Sequence, residues 1–259
     1  MPTGLVAVIG IAAFIGMIVC AKKKESPKAK PIAGLFLAIL IVCAGMYLHN
    51  NGIFTGEDKA TRDQRASYMR FEQSCAKALG EYVAKNHSSS KIVIIAAGGR
   101  EYAKNESQKR RADLLKTYIP SAEIKALDYV RNENDMAGMP GATAKEFNDF
   151  FKANQDVGVF VLLEDLPYDP SQLIKLSIWK GKGKQKIAIM SGDVSMLAAQ
   201  FKADIVTAAV VSKPGLKEAD YEKLASENLD EAFGMRYLLV TSKNIDQHAG
   251  NNRIFRQAK

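Results

Sequence analysis

The side chains best suited to chemistry in this 259-residue chain stand just after short apolar runs. Gly98-Gly99-Arg100-Glu101-Tyr102-Ala103-Lys104 follows the run 92–97. Two glycines let backbone N–H groups approach an anion, and basic side chains nearby add countercharge. Gly98, Gly99, Arg100 and Lys104 are therefore candidate ligands for a phosphate, sulfate or carboxylate. Glu164-Asp165 follows the run 157–163, and Ser191-Gly192-Asp193 follows 186–190. Three carboxylates at neighbouring strand ends could hold a hard cation such as Mg²⁺ through Glu164, Asp165 and Asp193, or divide acid and base roles. Gly192 and Lys213 (after the run 205–211) extend the same rim. Each residue also has a plainer use: the glycines in a tight turn, Asp193 as a helix cap.

The motifs that name an enzyme are missing. The sequence contains no G-x-x-x-x-G-K-[ST], no G-x-G-x-x-G after a strand, no H-E-x-x-H and no G-x-S-x-G. Its three histidines, His49, His87 and His248, are widely separated. Of three cysteines, Cys20 and Cys43 lie in apolar N-terminal segments, and Cys75 falls on the apolar face of a helix as a small core residue. Catalytic residues are not assigned, and the expectation is a binding domain, not an enzyme.

Six runs, 92–97, 122–127, 157–163, 186–190, 205–211 and 236–241, read as strands. Several are continuously apolar, as expected where helices cover both sheet faces. Tyr68, Phe71, Cys75, Leu79 and Tyr82 recur at steps of three and four, predicting a helix over 59–86. Asn105/Gln108 and Thr143/Glu146 form capping-box patterns, and Asp169-Pro170 starts a further helix. Asp193 is expected to cap a helix over 194–202, and Pro214 to introduce one over 216–233. The tail 244–259 is polar and expected to be only partly ordered. Lys109-Arg110-Arg111 and the basic loop 180–186 read as solvated surface, and 136–141 as a connection or lid. The fold class is α/β: a three-layer domain with a mostly parallel sheet. In pattern it resembles a Rossmann-like or flavodoxin-like sheet, or one lobe of a periplasmic binding protein.

Residues 1–21 and 31–56 contain no Asp, Glu, Lys or Arg, although the chain carries a net charge of +8. The runs 4–21 and 31–48 each match the length of a bilayer span and predict an N-terminal two-helix transmembrane hairpin. Ala12/Gly16 and Gly34/Ala38 are spaced for close helix approach. Five lysines in the loop 22–30 place that loop in the cytoplasm by the positive-inside rule. The organisation expected is thus a hairpin, 1–56, in a bacterial cytoplasmic (inner) membrane and an extracytoplasmic α/β domain, 57–259. The domain would bind a small anionic ligand or an envelope protein partner, with the lipid bilayer as the hairpin's partner. A divalent-cation enzyme and a structural subunit of an envelope complex are the alternatives. Half the net charge belongs to the loop, so no nucleic-acid partner is expected.

Overall fold

A computed structural model describes residues 3–22, 29–50, 59–129, 141–181, 184–190, 192–248, 250–251 and 253–255. Most of the lysine loop 22–30, the 49–58 linker beyond Asn50, loop residues 136–140, Ser191 and 256–259 lie outside them. The chain divides into two compact units, Met1–Ala66 and Ser67–Lys259.

In the first unit, helices α1 (Thr3–Lys22) and α2 (Ala29–Asn50) pack on each other. The Phe36 ring lies so close to Gly16 that an added Cβ would fall 2.5 Å from it, whereas a Cβ at Gly34 would meet nothing. Of the two small-residue pairs the contact thus uses only Gly16, since Ala12, Gly34 and Ala38 are exposed. Large apolar side chains point outward: Ile11 is 61% exposed, Leu35 61% and Ile41 64%. Side chains are described for residues 9–20, 22 and 31–46 of these helices. Among the described residues, no helix is long and apolar enough to cross a membrane, so the transmembrane hairpin expected over 4–21 and 31–48 is not shown here.

The second unit is built on one six-stranded sheet: β1 (Ile92–Ala96), β2 (Glu123–Ala126), β3 (Val159–Leu162), β4 (Lys186–Ile189), β5 (Val206–Ser212) and β6 (Tyr237–Thr241), in the order β2-β1-β3-β4-β5-β6. All neighbours are parallel except β5 and β6. Every residue of β1 and β3 is buried. Alternate side chains serve opposite faces. Val93, Ile95, Phe160 and Leu162 join a core with Phe147, Phe151 and Phe201. Ile92, Ile94, Val159 and Val161 join a second core with Leu79, Val83 and Leu115. The first core is covered by α5 (Ala144–Ala153), α6 (Pro170–Leu173), α7 (Ala198–Lys202) and α10 (Ile245–His248). The second is covered by α3 (Lys59–Asn86) and α4 (Glu106–Tyr118). This is the three-layer α/β arrangement the uninterrupted apolar runs require.

Helix starts follow local chemistry. Asn105 accepts from the Gln108 N–H, and Thr143 and Glu146 form a reciprocal capping box. Two expectations fail. Asp193 accepts from the Ser195 N–H, but helix begins only at Ala198, so Asp193 closes a local turn instead of capping a helix. The segment after Pro214 is not one helix but two, α8 (Glu218–Glu222) and α9 (Leu229–Arg236). Between them Ala225 donates its N–H to Ser67 Oγ, a tertiary bond that replaces a helical one. The described part of the tail contributes to the core. Ile245, Ile254 and Phe255 are buried, and Phe255 packs edge-on against Phe201 at 5.8 Å between ring centroids.

Replacing Phe255 with Ala should therefore cost about 3–5 kcal/mol, the range for a large buried ring. Chemical denaturation of the full chain checks this, and a change under about 0.5 kcal/mol would mean the tail is not part of the core.

Candidate functional site

In this sheet the chain leaves β1 toward β2 on one side and returns to β3 on the other, so the topological switch lies between β1 and β3. Parallel α/β sheets commonly bind ligands in the crevice at the carboxyl ends there. Here the crevice holds the protein's own anion. Buried Glu164 accepts hydrogen bonds at Oε2 from the Gly98 N–H (2.7 Å) and the Tyr129 hydroxyl (2.8 Å). The glycine turn is locked from the other side as well. Gly98 and Gly99 have φ of 101° and 54°, and a Cβ on Gly99 would fall 2.7 Å from the Tyr129 carbonyl oxygen. The Arg100 N–H donates to that same carbonyl at 3.0 Å.

The remaining expected residues are likewise engaged. The Arg100 guanidinium pairs with Asp128 at 2.5 Å, holding the Asp128 carboxyl below its usual range, and Lys104 pairs with Glu101 at 3.1 Å. Lys213, just after β5, donates its Nζ to the Gly234 carbonyl of α9 at 2.7 Å. Asp165 accepts from the Tyr168 hydroxyl at 2.8 Å and lies 3.0 Å from where a Gly192 Cβ would be. Partial burial, then Asp165, then Asp193 and Glu164 push the Tyr168 hydroxyl up to about 12. The three carboxylates thus share an electrostatic neighbourhood. Yet among the described residues no group of three or more His, Cys, Asp or Glu is placed to hold a metal ion.

The cleft that does open lies one step along the sheet, at the carboxyl ends of β4 and β5, with a volume of about 380 Å³. It takes Gly192 and Asp193 from the expected set. Met190, Val210 and Val211 contribute apolar lining from the strand ends, and Phe71 and Tyr237 add aromatic rings. Ile254 and Arg253 enter from the tail. Its most unusual side chain is Glu72 on α3, whose carboxylate is only 10% exposed. Glu72 pairs with Arg111 Nε at 3.4 Å and Arg110 at 3.6 Å, distances too long for strong charge-assisted hydrogen bonds. The basic run 109–111 is therefore not simply solvated surface, since two of its three members turn to a buried acid.

Sequence reading misses Glu72, Arg111, Tyr237 and Arg253 because they come from four separate segments. Glu72 alone left a trace: a carboxylate directly after Phe71 on the apolar stripe of α3. Cys75, also lining the cleft, is pushed from 9.0 up to about 12 by burial, and Tyr237 from 10.0 to about 12 for the same reason. Its thiol is thus a poor nucleophile at neutral pH.

No protein-family model matches this chain, and no curated protein does. Among solved structures it is similar to a sugar ABC transport system substrate-binding protein from Bordetella parapertussis, at 14% identity and a TM-score of 0.42, over 68% of this chain and 57% of that one. Similar too is a sugar ABC transporter from Actinomyces odontolyticus, at 13% identity and 0.44, over 68% and 63%. A sugar-binding protein of a Bacillus halodurans ABC transporter matches at 10% identity and 0.42, over 68% and 64%. The chain spans less than two thirds of the length of each. At these scores the likeness adds nothing to the fold and cleft already described.

The raised Cys75 and Tyr237 values carry a sign. The folded chain keeps protons there that the unfolded chain releases, so their contribution is complete below about pH 9 and is lost as pH rises toward about 12. Denaturant midpoints measured from pH 8 to 11 should fall with pH, and less steeply in Cys75→Ala. Native protein at pH 8 should also leave Cys75 unalkylated by iodoacetamide in peptide mapping. Rapid labelling of Cys75 would contradict its burial.

Proposed function

We propose that the α/β domain binds a small polar molecule, without catalysis, in the cleft at the carboxyl ends of β4 and β5. The observation that carries this reading is the buried Glu72 carboxylate on the cleft wall, held by two long ion pairs and a hydrogen bond from the Tyr68 hydroxyl. Burying an ionised group costs free energy that strong local partners normally offset. A ligand hydroxyl, amide or ammonium seated in the cleft would supply a short hydrogen bond to Glu72 Oε2, which stands 3.6 Å from Arg110. The apolar lining from Phe71, Met190, Val210 and Tyr237 suits the carbon face of such a molecule, and Asp193 and Arg253 give the rim both charges. Around 380 Å³ is the size of a small-metabolite site.

The proposal extends to location. The α1–α2 pair anchors the chain in a bacterial cytoplasmic membrane, with the α/β domain on the extracytoplasmic side. Support comes from the uncharged runs 1–21 and 31–56, the five-lysine loop between them, and the outward-facing Ile11, Leu35 and Ile41.

A thermal-shift screen of the full chain in non-ionic detergent, across polyols, amino acids and small carboxylates, should find a stabilising ligand. Glu72→Gln should then weaken its binding roughly ten- to a hundredfold, the range for a lost hydrogen bond to a charged group. Unchanged affinity would place the ligand elsewhere. For location, a reporter active only outside the cytoplasm, fused after Lys259, should be active, and silence would reverse the assignment.

A further inference from the structure

A second cavity, of about 370 Å³, opens at the opposite edge of the sheet, where β4 and β5 begin and β6 ends. Four elements converge on it: the end of α3 with Tyr82, Asn86 and His87, the start of β4 with Lys186, the α7–β5 turn with Lys202 and Asp204, and the end of β6 with Ser242 and Lys243. Thr207 of β5 forms part of the lining, and its buried hydroxyl lies 3.0 Å from His87 Nε2 and 3.5 Å from the Tyr82 hydroxyl. Three lysines and a histidine thus face one lining carboxylate. Asp204 pairs with Lys186, and Asp246 stands 3.6 Å from Lys202.

Three lysines against Asp204 and Asp246 leave about one net positive charge there. Burial first, then Lys186 and Lys243, lower the proton affinity of His87, while Asp204 opposes them. An excess of positive potential over a partly desolvated cavity draws anions. The carboxyl end of α3 would ordinarily repel an anion. Its last carbonyls are already taken, however: Val83 O accepts from the His87 N–H at 2.9 Å and Tyr82 O from Asn86 Nδ2 at 2.8 Å. Ser242 is bonded to Asp204, and Asn86 accepts from Lys243 Nζ at 3.0 Å, which leaves the hydroxyls of Tyr82 and Thr207 as neutral groups that can donate to anionic oxygens. The cavity is also larger than a bare anion needs.

We infer that this amino-end cavity binds a phosphate group carried on a small organic molecule, held by Lys186, Lys202 and Lys243 together with the His87–Thr207 pair. It is separate from the Glu72 cleft, and its success or failure does not depend on that cleft's ligand.

The test uses the full chain in non-ionic detergent and inorganic phosphate as probe, against chloride at matched ionic strength. Phosphate at ten times its Kd should raise the Tm by about 3–6 °C. The Lys202→Ala/Lys243→Ala double variant, altered only at exposed side chains, should lose that rise. Lys145→Ala on α5, paired with Asp149 on the surface, should keep it. Equal shifts in phosphate and chloride, or an undiminished shift in the double variant, would overturn the inference. Nanodiscs of phosphatidylglycerol against phosphatidylcholine separate the sources of the phosphate. Stabilisation that needs the two lysines and the anionic disc assigns it to a lipid headgroup. Stabilisation by inorganic phosphate in either disc assigns it to a soluble molecule.

Discussion

Two-sided burial of the central strands is the constraint on which the rest of the domain depends. β1 and β3 expose no side chain, so each must be apolar along its length, and each must find helices on both faces. Backbone polarity is consumed by the ladders, as it must be in a region without water. Chemistry is thereby driven to the two edges where strands stop. Both cavities discussed above lie there, one at the carboxyl ends of β4 and β5 and one at their amino ends.

Glu164 decides which part of the carboxyl edge is left open. A buried carboxylate needs donors, and it takes the Gly98 N–H and the Tyr129 hydroxyl across the switch between β1 and β3. The glycine turn that could have cradled an external anion instead cradles this one. Its backbone shape, with both φ values positive, serves the fit against Tyr129. The open space consequently sits beyond β3, at β4 and β5.

The walls of that cleft are held by long-range contacts. The Arg236 guanidinium lies 3.8 Å above the Phe71 ring and donates to the carbonyls of Tyr221 and Lys223. With the Ser67–Ala225 bond, this ties the α8–α9 segment to α3. Cation–π stacking and hydrogen bonds to loop carbonyls here do the work that a continuous helix over 216–233 would otherwise have done. On the far side the tail is fastened by Phe255, which puts Ile254 and Arg253 against the cleft.

The sequence by itself determined the elements: all six strands stand within a residue or two of their apolar runs, and α3 spans the stretch its stripe predicts. That information is local, because a run such as 92–97 can be buried on both faces in few ways, and Thr143/Glu146 cap a helix through bonds three residues apart. It also marked the strand ends as polar rims and separated the loop lysines from the domain's charge. Only the tertiary structure decided what those rims do. Whether Gly98 meets a ligand or Glu164 depends on a contact across 66 residues of chain. Whether Arg111 faces water or Glu72 depends on how α4 lies against α3. The tail's place in the core is non-local in the same way: two buried residues, Ile254 and Phe255, outweigh a polar average once Phe201 is there to receive them. Partners so far apart in sequence leave no periodic signal, and the cleft is made of them.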